Sequence, residues 1–228
     1  MIVGVIASAA DLRLALALRQ PPDLFELRLD CLAGSLNKLS PKIDKLRAPM
    51  IITARDPREG GANNLSLRTR RDLQLHFLPR AKYVDVELRN ARAFKPVLNY
   101  ARKRNVRRIL SFHDFKSTPT PRALRAKAAL AKKYGADIFK IACRVDEPMQ
   151  LARLVDFVLD GDVDLPISAM GIGKLGMPSR FLLARCGSVL NYAHLGRARV
   201  AGQPSFSEVQ RWTPAHRSLG EGGLGVER

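Results

Sequence analysis

Residues 135–143, with the sequence GADIFKIAC, predict a buried β-strand that carries a lysine in its middle. The apolar run has the length of a strand covered on both faces. Strand alternation places Lys140 on the same face as Ile138 and Ala142. An ammonium is rarely buried without a partner, and desolvation favours a neutral amine that can attack a carbonyl. Lys140 is therefore a candidate nucleophile, with an ion pair or a solvent-reaching amine as the structural alternatives.

Short apolar strands alternate with amphipathic or charged helices along the rest of the chain. The predicted strands are residues 2–7, 24–29, 50–54, 83–88, 108–112, 137–142, 166–170 and 188–193. The predicted helices are residues 11–18, 41–46, 67–78, 91–103, 121–133, 148–159, 178–185 and 205–212. Eight such units predict the α/β class and a single (β/α)8 TIM barrel over residues 1–212. The polar, glycine-rich stretch 213–228 predicts a mobile tail.

The composition of the chain indicates which kinds of partner and which cellular location to expect. The formal net charge is +18, yet the basic residues are spread over many segments without a binding motif, so nucleic acid is not predicted as a partner. No run approaches the roughly 18 apolar residues of a membrane span, and the first residues resemble a strand rather than a signal peptide. We therefore expect a cytoplasmic protein with no membrane partner. Three cysteines without CxxC spacing predict neither a disulfide framework nor a zinc site.

Polar residues collect at the ends of the predicted strands, where a (β/α)8 barrel places its active site. Glu26, Arg28 and Asp30 alternate along one face of the second strand. His113 lies at the outgoing end of the fifth strand, where it is either a proton-transfer group or a hydrogen-bonded structural residue. Arg55 ends the third strand. We therefore expect these side chains to lie together at the carboxyl-terminal opening of the barrel.

Two later loops add candidate binding groups. Gly171, Gly173 and Gly176 have GxGxxG spacing, but they lie far from the first βα turn, so a dinucleotide site is not indicated. Arg180 follows this loop, and a guanidinium can hold a carboxylate through two parallel hydrogen bonds. Gln203 lies in a short loop beyond the eighth strand and can bring an amide over the mouth.

Together these motifs resemble type I 3-dehydroquinate dehydratase, the class that forms a Schiff base. The matching motifs are Glu26-x-Arg28-x-Asp30, Thr53-x-Arg55 with Glu59-Gly60-Gly61, Ser111-x-His113-Asp114-Phe115, Asp137-x-x-Lys140, Met170-Gly171 with Ser179-Arg180, Gly187-Ser188 and Gly202-Gln203. They follow family order and cover roughly residues 2–210.

The resemblance implies a shikimate-pathway lyase that dehydrates 3-dehydroquinate to 3-dehydroshikimate, with no cofactor and no metal, as a homodimer. It implies that Lys140 forms the imine and that His113 moves the protons. Arg180 and Gln203 are then expected to hold the substrate carboxylate. Glu26, Arg28 and Arg55 are expected to contact its hydroxyls. The supporting candidates are Glu87 and Asp114 as orienters of His113, with Glu59 and Ser8 as further contacts.

One departure and two alternatives remain open. Family members usually carry Ser-x-Pro-Gly-Gln in the closing loop, whereas this chain has Arg199 in place of the serine. We therefore expect substrate affinity or closure of this loop to differ from that of the usual family members. A class I aldolase or transaldolase-like enzyme would share the barrel and the imine chemistry. A basic, nucleic-acid-associated barrel without activity would explain the charge.

Overall fold

The computed structural model describes residues 1–212, and the predicted tail at 213–228 lies outside the described residues. The strands are β1 (Ile2–Ile6), β2 (Leu24–Arg28), β3 (Met50–Thr53), β4 (Tyr83–Glu87), β5 (Arg107–Asp114), β6 (Ile138–Arg144), β7 (Ile167–Ile172) and β8 (Asn191–His194). The helices are α1 (Ala9–Ala17), α2 (Leu29–Leu32), α3 (Leu36–Ile43), α4 (Leu67–Phe77), α5 (Lys95–Lys103), α6 (Pro121–Lys133), α7 (Pro148–Leu159), α8 (Gly176–Arg185) and α9 (Phe206–Trp212).

The strands form a parallel sheet in the order β7-β6-β5-β4-β3-β2-β1-β8. Fewer hydrogen bonds join β7 to β8 than join the other neighbouring strands. Val189 N donates to Ile167 O at 3.0 Å, and Ser168 Oγ donates to Leu190 O at 3.0 Å. The predicted (β/α)8 TIM barrel is confirmed.

The two faces of the strands pack into two different apolar clusters. Phe139 and Ile141 belong to the outer cluster, between the sheet and the helices. Ile138 and Ala142 belong to the inner cluster, inside the barrel. Lys140 shares their face, as the alternation in β6 predicted, and its exposed fraction is 4%. The lysine is therefore inside the barrel.

Several helix and strand boundaries differ from the predicted ones. Pro41 was expected to open the second predicted helix, at 41–46, but the corresponding helix, α3, begins at Leu36 and contains Pro41. The apolar period of Leu36, Leu39 and Ile43, all buried, was the better guide, because burial of one face stabilises a helix more than local propensity does. β8 begins three residues later than predicted, because the Ser188 hydroxyl bonds to the Ala169 backbone in place of a ladder.

None of the helices described between residues 1 and 212 has the length and apolarity needed to span a bilayer.

Candidate active site

A cavity of about 90 Å³ opens at the carboxyl ends of the strands. The predicted catalytic and substrate-binding residues all line it: Lys140, His113, Glu26, Arg28, Arg55, Arg180 and Gln203. Residues from three strands, one helix and two loops therefore meet at one point, at the rim where a βα barrel places its active site.

The Lys140 amine is paired inside this cavity. Its Nζ donates to Asp85 Oδ2 at 2.9 Å and lies 3.5 Å from Glu26 Oε1. The ring centroid of Tyr192 is 3.9 Å from the same nitrogen. The ion pair that the sequence left open is thus present, and the amine lines the cavity as well.

Asp85 is shared by two cations and a hydroxyl. Arg55 Nη2 donates to Asp85 Oδ2 at 2.8 Å, and Ser111 Oγ donates to Asp85 Oδ1 at 2.6 Å. Burial alone would raise the pKa of Asp85, but the charges of Arg55 and Lys140 hold it well below its usual range. Asp85 is therefore an anion at neutral pH, and Lys140 competes with Arg55 for it.

A second layer of charges fixes Arg55 from behind. Arg55 Nη1 donates to Glu87 Oε1 at 2.9 Å, and the other oxygen of Glu87 accepts from Arg70 Nη1 at 3.0 Å. Arg70 in turn donates to Asp56 Oδ2 at 2.9 Å. All four side chains are buried. Every buried charge in this network has a partner of opposite sign. The network therefore holds the Arg55 side chain in place.

His113 is held by Glu59. His113 Nδ1 lies 2.9 Å from Glu59 Oε2, which also accepts from the His113 backbone N–H at 3.1 Å. Burial raises the pKa of Glu59 to about 7, with the Arg55 charge opposing it. Burial, with the Arg55 and Lys140 charges, lowers the pKa of His113 well below its usual value. A neutral imidazole that uses Nδ1 to reach Glu59 has Nε2 free to accept a proton.

The residues expected to orient His113 lie elsewhere, which corrects that expectation. Glu87 is occupied by Arg55, Arg70 and Asn90. Asp114 closes the turn that follows β5 and accepts from the backbone N–H groups of residues 116 and 117, each at 2.9 Å. The alternation in the strands identified acidic positions but could not tell which carboxylate reaches the ring, because Glu59 comes from a loop.

Ser8 also has a different role from the substrate contact that was considered. Its Oγ accepts from Asp11 N at 3.1 Å and caps the N-terminus of α1. Ser8 does not belong to the lining of the cavity.

Arg180 is a buried cation without an anion among the described residues. Its exposed fraction is 7%, and it donates to two backbone carbonyls, from Nε to Gly171 O at 3.1 Å and from Nη1 to Tyr192 O at 3.4 Å. Burial lowers the pKa of Arg180 to about 10, so it is still charged at neutral pH. A desolvated charge of this kind is a strong site for an incoming carboxylate.

The closing loop packs tightly against the start of α8. Gly202 has a φ of 78°, and a Cβ at this position would lie 2.6 Å from the Gly176 Cα. Gln203 Oε1 accepts from Arg199 N at 2.9 Å. The Arg199 side chain lines the cavity and its Nη2 lies 3.6 Å from Asp11 Oδ2. The loop thus places Gln203 in the cavity through a turn that requires glycine.

Tyr192 is a site residue that the sequence analysis missed. It lies in the inner cluster, and its buried hydroxyl has no hydrogen-bond partner among residues 1–212. Burial, followed by the charges of Glu26 and Asp85, raises the pKa of Tyr192 well above its usual value, so the hydroxyl stays a donor. Applying the strand alternation to residues 190–194 would have placed this ring inside the barrel.

The carboxylates of the site are bonded mainly to arginines. Among residues 1–212, no group of three or more potential ligand side chains is arranged to hold a metal ion.

The sequence of the chain is similar to those of known proteins. The family model for Type I 3-dehydroquinase matches residues 2–216. A 3-dehydroquinate dehydratase of Thermodesulfovibrio yellowstonii is 32% identical over 192 residues, which cover 82% of each chain. A chloroplastic bifunctional 3-dehydroquinate dehydratase/shikimate dehydrogenase of Arabidopsis thaliana is 31% identical; the match covers 82% of this chain and 32% of that longer relative.

The fold has solved counterparts. The crystal structure of a 3-dehydroquinate dehydratase from Geobacillus kaustophilus superimposes with a TM-score of 0.82 at 26% identity, and covers 92% of this chain and 88% of that one.

Proposed function

The chain belongs to the type I 3-dehydroquinase family, and on that premise we propose that Lys140 and His113 eliminate water from 3-dehydroquinate. The activity of the family is that of a hydro-lyase of the shikimate pathway, which serves aromatic biosynthesis, and it proceeds through a Schiff base.

One observation supports this assignment most directly. A single cavity holds a buried amine, a neutral imidazole backed by a carboxylate, and a buried guanidinium that no described carboxylate pairs with. Imine chemistry on an anionic ketone needs these three groups within reach of one molecule.

Imine formation is the first step. The Lys140 amine, once neutral, adds to the substrate ketone, and the resulting carbinolamine loses its hydroxyl as water. The product is a protonated imine, which withdraws electrons far more strongly than a ketone does. Asp85 lies 2.9 Å from the nitrogen and stabilises the positive charge that remains on it. The adjacent C–H becomes acidic enough for removal.

Proton transfer is the second step. His113 accepts the proton of that C–H at Nε2, and the electron pair moves into the protonated imine to give an enamine. The enamine then returns this pair to form the new C=C bond and restore the protonated imine, while the β-hydroxyl takes a proton from the imidazolium and leaves as water. Glu59 stabilises the imidazolium through its contact at 2.9 Å with Nδ1. A general acid–base group of this kind typically contributes about 10²–10⁴-fold. Hydrolysis of the imine returns the amine.

The remaining residues grip the substrate. Arg180 and Gln203 are assigned to its carboxylate, and Glu26, Arg28 and Arg55 to its hydroxyls. Arg28 is pre-oriented because Asp30 accepts from its Nε at 2.9 Å and from its Nη2 at 2.7 Å. Arg55 Nη1 donates to Glu87 and Ser111 and its Nη2 donates to Asp85, so Arg55 positions Asp85 and keeps one Nη2 N–H group for a substrate hydroxyl.

Reductive trapping tests the assignment. Borohydride added with 3-dehydroquinate is expected to leave a covalent adduct on Lys140, located by peptide mass spectrometry. Lys140→Met should give no adduct. His113→Asn should still be trapped while turning over poorly, because the imidazole acts after the imine forms. An adduct on another lysine, or none with the unmodified chain, would contradict the proposal. Sugar phosphates in the same assay exclude or support an aldolase-like reaction.

We also infer a cytoplasmic homodimer, on the family resemblance alone. Light scattering coupled to gel filtration should give twice the mass of one chain, and a single-chain mass would contradict the dimer. Cell fractionation tests the location.

A further inference from the structure

The amino ends of β4, β5 and β6 carry exposed cations that the proposed reaction does not use. We name them the basic face and define it by six residues: Lys82, Arg102, Lys103, Arg104, Arg107 and Lys133. One precedes β4, one begins β5, three lie at the end of α5, and one ends α6. All six are exposed.

The fold brings these residues together although they are spread along the sequence. In a βα barrel each helix runs back against its strand, so helix ends and strand starts share one rim. Arg107 N donates to Lys82 O at 3.0 Å, and Asp137 N donates to Arg108 O at 2.8 Å, which ties the starts of β4, β5 and β6. Neighbouring strands lie about 4.8 Å apart, so the basic face occupies a short arc of the rim.

Charge on this part of the chain is strongly one-sided. Residues 88–136 contain 14 lysines and arginines and one carboxylate, Asp114. Asp114 ends β5 and therefore lies at the opposite rim. Nearby cations such as Arg108 and Lys132 pair with Asp137 and Asp164. None of the six cations of the basic face forms an ion pair within the part of the chain that the structure describes.

Two of the arginines are held in place by aromatic rings. Arg107 Nη1 donates to the Tyr83 hydroxyl at 3.3 Å, and its guanidinium carbon lies 5.9 Å from the centre of that ring. The Arg104 guanidinium carbon lies 5.4 Å from the centre of the Tyr100 ring. Ordering a cation in advance reduces the entropy lost when it binds an anion. Tyr83 is buried and Tyr100 is half-buried with Arg104 over it, so neither ring is an open platform for a nucleobase.

We propose that the basic face binds the phosphodiester backbone of double-stranded nucleic acid without reading its sequence. Arginine and lysine neutralise regularly spaced phosphates, and six cations match up to about six of them. Covered rings disfavour single strands, which bind by stacking. A membrane surface is disfavoured because the large apolar side chains exposed in residues 88–136 are Phe115 and Leu130, neither of them in the basic face. The cavity opens at the other rim and stays accessible.

Fluorescence anisotropy of a labelled random-sequence 30-bp DNA duplex tests the proposal with the full chain. Arg102→Gln/Lys103→Gln/Lys133→Gln should weaken binding at least about 10-fold and reduce the slope of log K against log salt by about 3, near 0.9 per lost phosphate contact. The matched control is Arg13→Gln/Arg19→Gln/Arg185→Gln, which removes the same charge from exposed positions on or next to α1 and α8. It should change affinity less than 2-fold.

Each other outcome overturns the proposal. Equal losses in the two triple variants would mean that net charge alone drives binding. Absence of binding at about 150 mM salt would mean that no specific face exists. Tighter binding of a single strand of equal length, or equal binding of polyglutamate competitor, would assign another partner. Turnover and circular dichroism should stay unchanged in both variants, so the result is independent of the proposed reaction.

Discussion

The two rims of the barrel hold their positive charges in opposite ways. At the carboxyl rim Arg28, Arg55 and Lys140 are buried or nearly so, and each is bonded to a carboxylate. At the amino rim the six cations of the basic face are exposed and have no described carboxylate partner. Burying an ion costs several kcal/mol unless a partner compensates it, whereas water compensates an exposed one. The acids are therefore concentrated where the cations are buried: Glu26, Asp30, Asp56, Glu59, Asp85 and Glu87.

Arg180 breaks this rule at the carboxyl rim, since it is buried without a described carboxylate. The comparison teaches that an exception to charge compensation marks the place that a ligand fills.

Loss of the amine should have the largest effect. Lys140→Met is expected to lower turnover by about 10⁴-fold or more, because no other group supplies the electron sink. Absorbance of the conjugated enone product measures the rate. Lys132→Met, at an exposed lysine paired with Asp164, is the control and should stay within 2-fold. Activity of Lys140→Met within 10-fold of the parent would refute the assignment.

Removing the shared anion should unfold the carboxyl rim. Asp85→Asn leaves Arg55 and Lys140 short of a buried partner and is expected to destabilise the chain by about 3–5 kcal/mol in urea unfolding. Asp164→Asn breaks an exposed pair and should change stability by less than about 1 kcal/mol. Similar losses in both variants would show that burial does not separate the two kinds of pair.

Substitution of Arg180 should not destabilise the free protein, in contrast to substitution of Asp85. Arg180→Gln removes an uncompensated buried charge, so the free protein should unfold at an equal or higher temperature. Substrate binding should suffer, with KM raised about 100-fold and kcat changed much less, since a charged hydrogen bond to a carboxylate is lost in ground and transition states alike. A lower melting temperature with unchanged KM would mean that Arg180 serves the fold.

The smallest effect is a pH dependence. Glu59 is ionised above a pKa of about 7, and only the carboxylate stabilises the imidazolium. kcat/KM should therefore fall as pH drops through 7. Glu59→Gln should lower kcat about 10–100-fold and remove that acid limb. An acid limb that persists unchanged in Glu59→Gln would assign it to another group.

The sequence predicted the barrel because eight strand and helix periods follow one another without a linker. It predicted Lys140 and His113 because polar residues interrupt apolar strands at fixed faces. It could not predict the partner of His113, since Glu59 reaches the ring from a loop whose path depends on Gly60, with a φ of 83°. Nor could it predict the basic face, because residues 82, 107 and 133 become neighbours only after the strands pair.

The junction of β7 and β8 has a consequence for how the barrel opens. Seven strand boundaries are joined by backbone ladders, whereas this one depends on a few bonds, several of them from serine hydroxyls. Amide exchange should therefore begin along this line. Arg180 lies across it, bonded to carbonyls of Gly171 on one side and Tyr192 on the other. An anion bound by that guanidinium would strengthen the link between β7 and β8. Occupancy of the site would therefore slow the opening of the barrel.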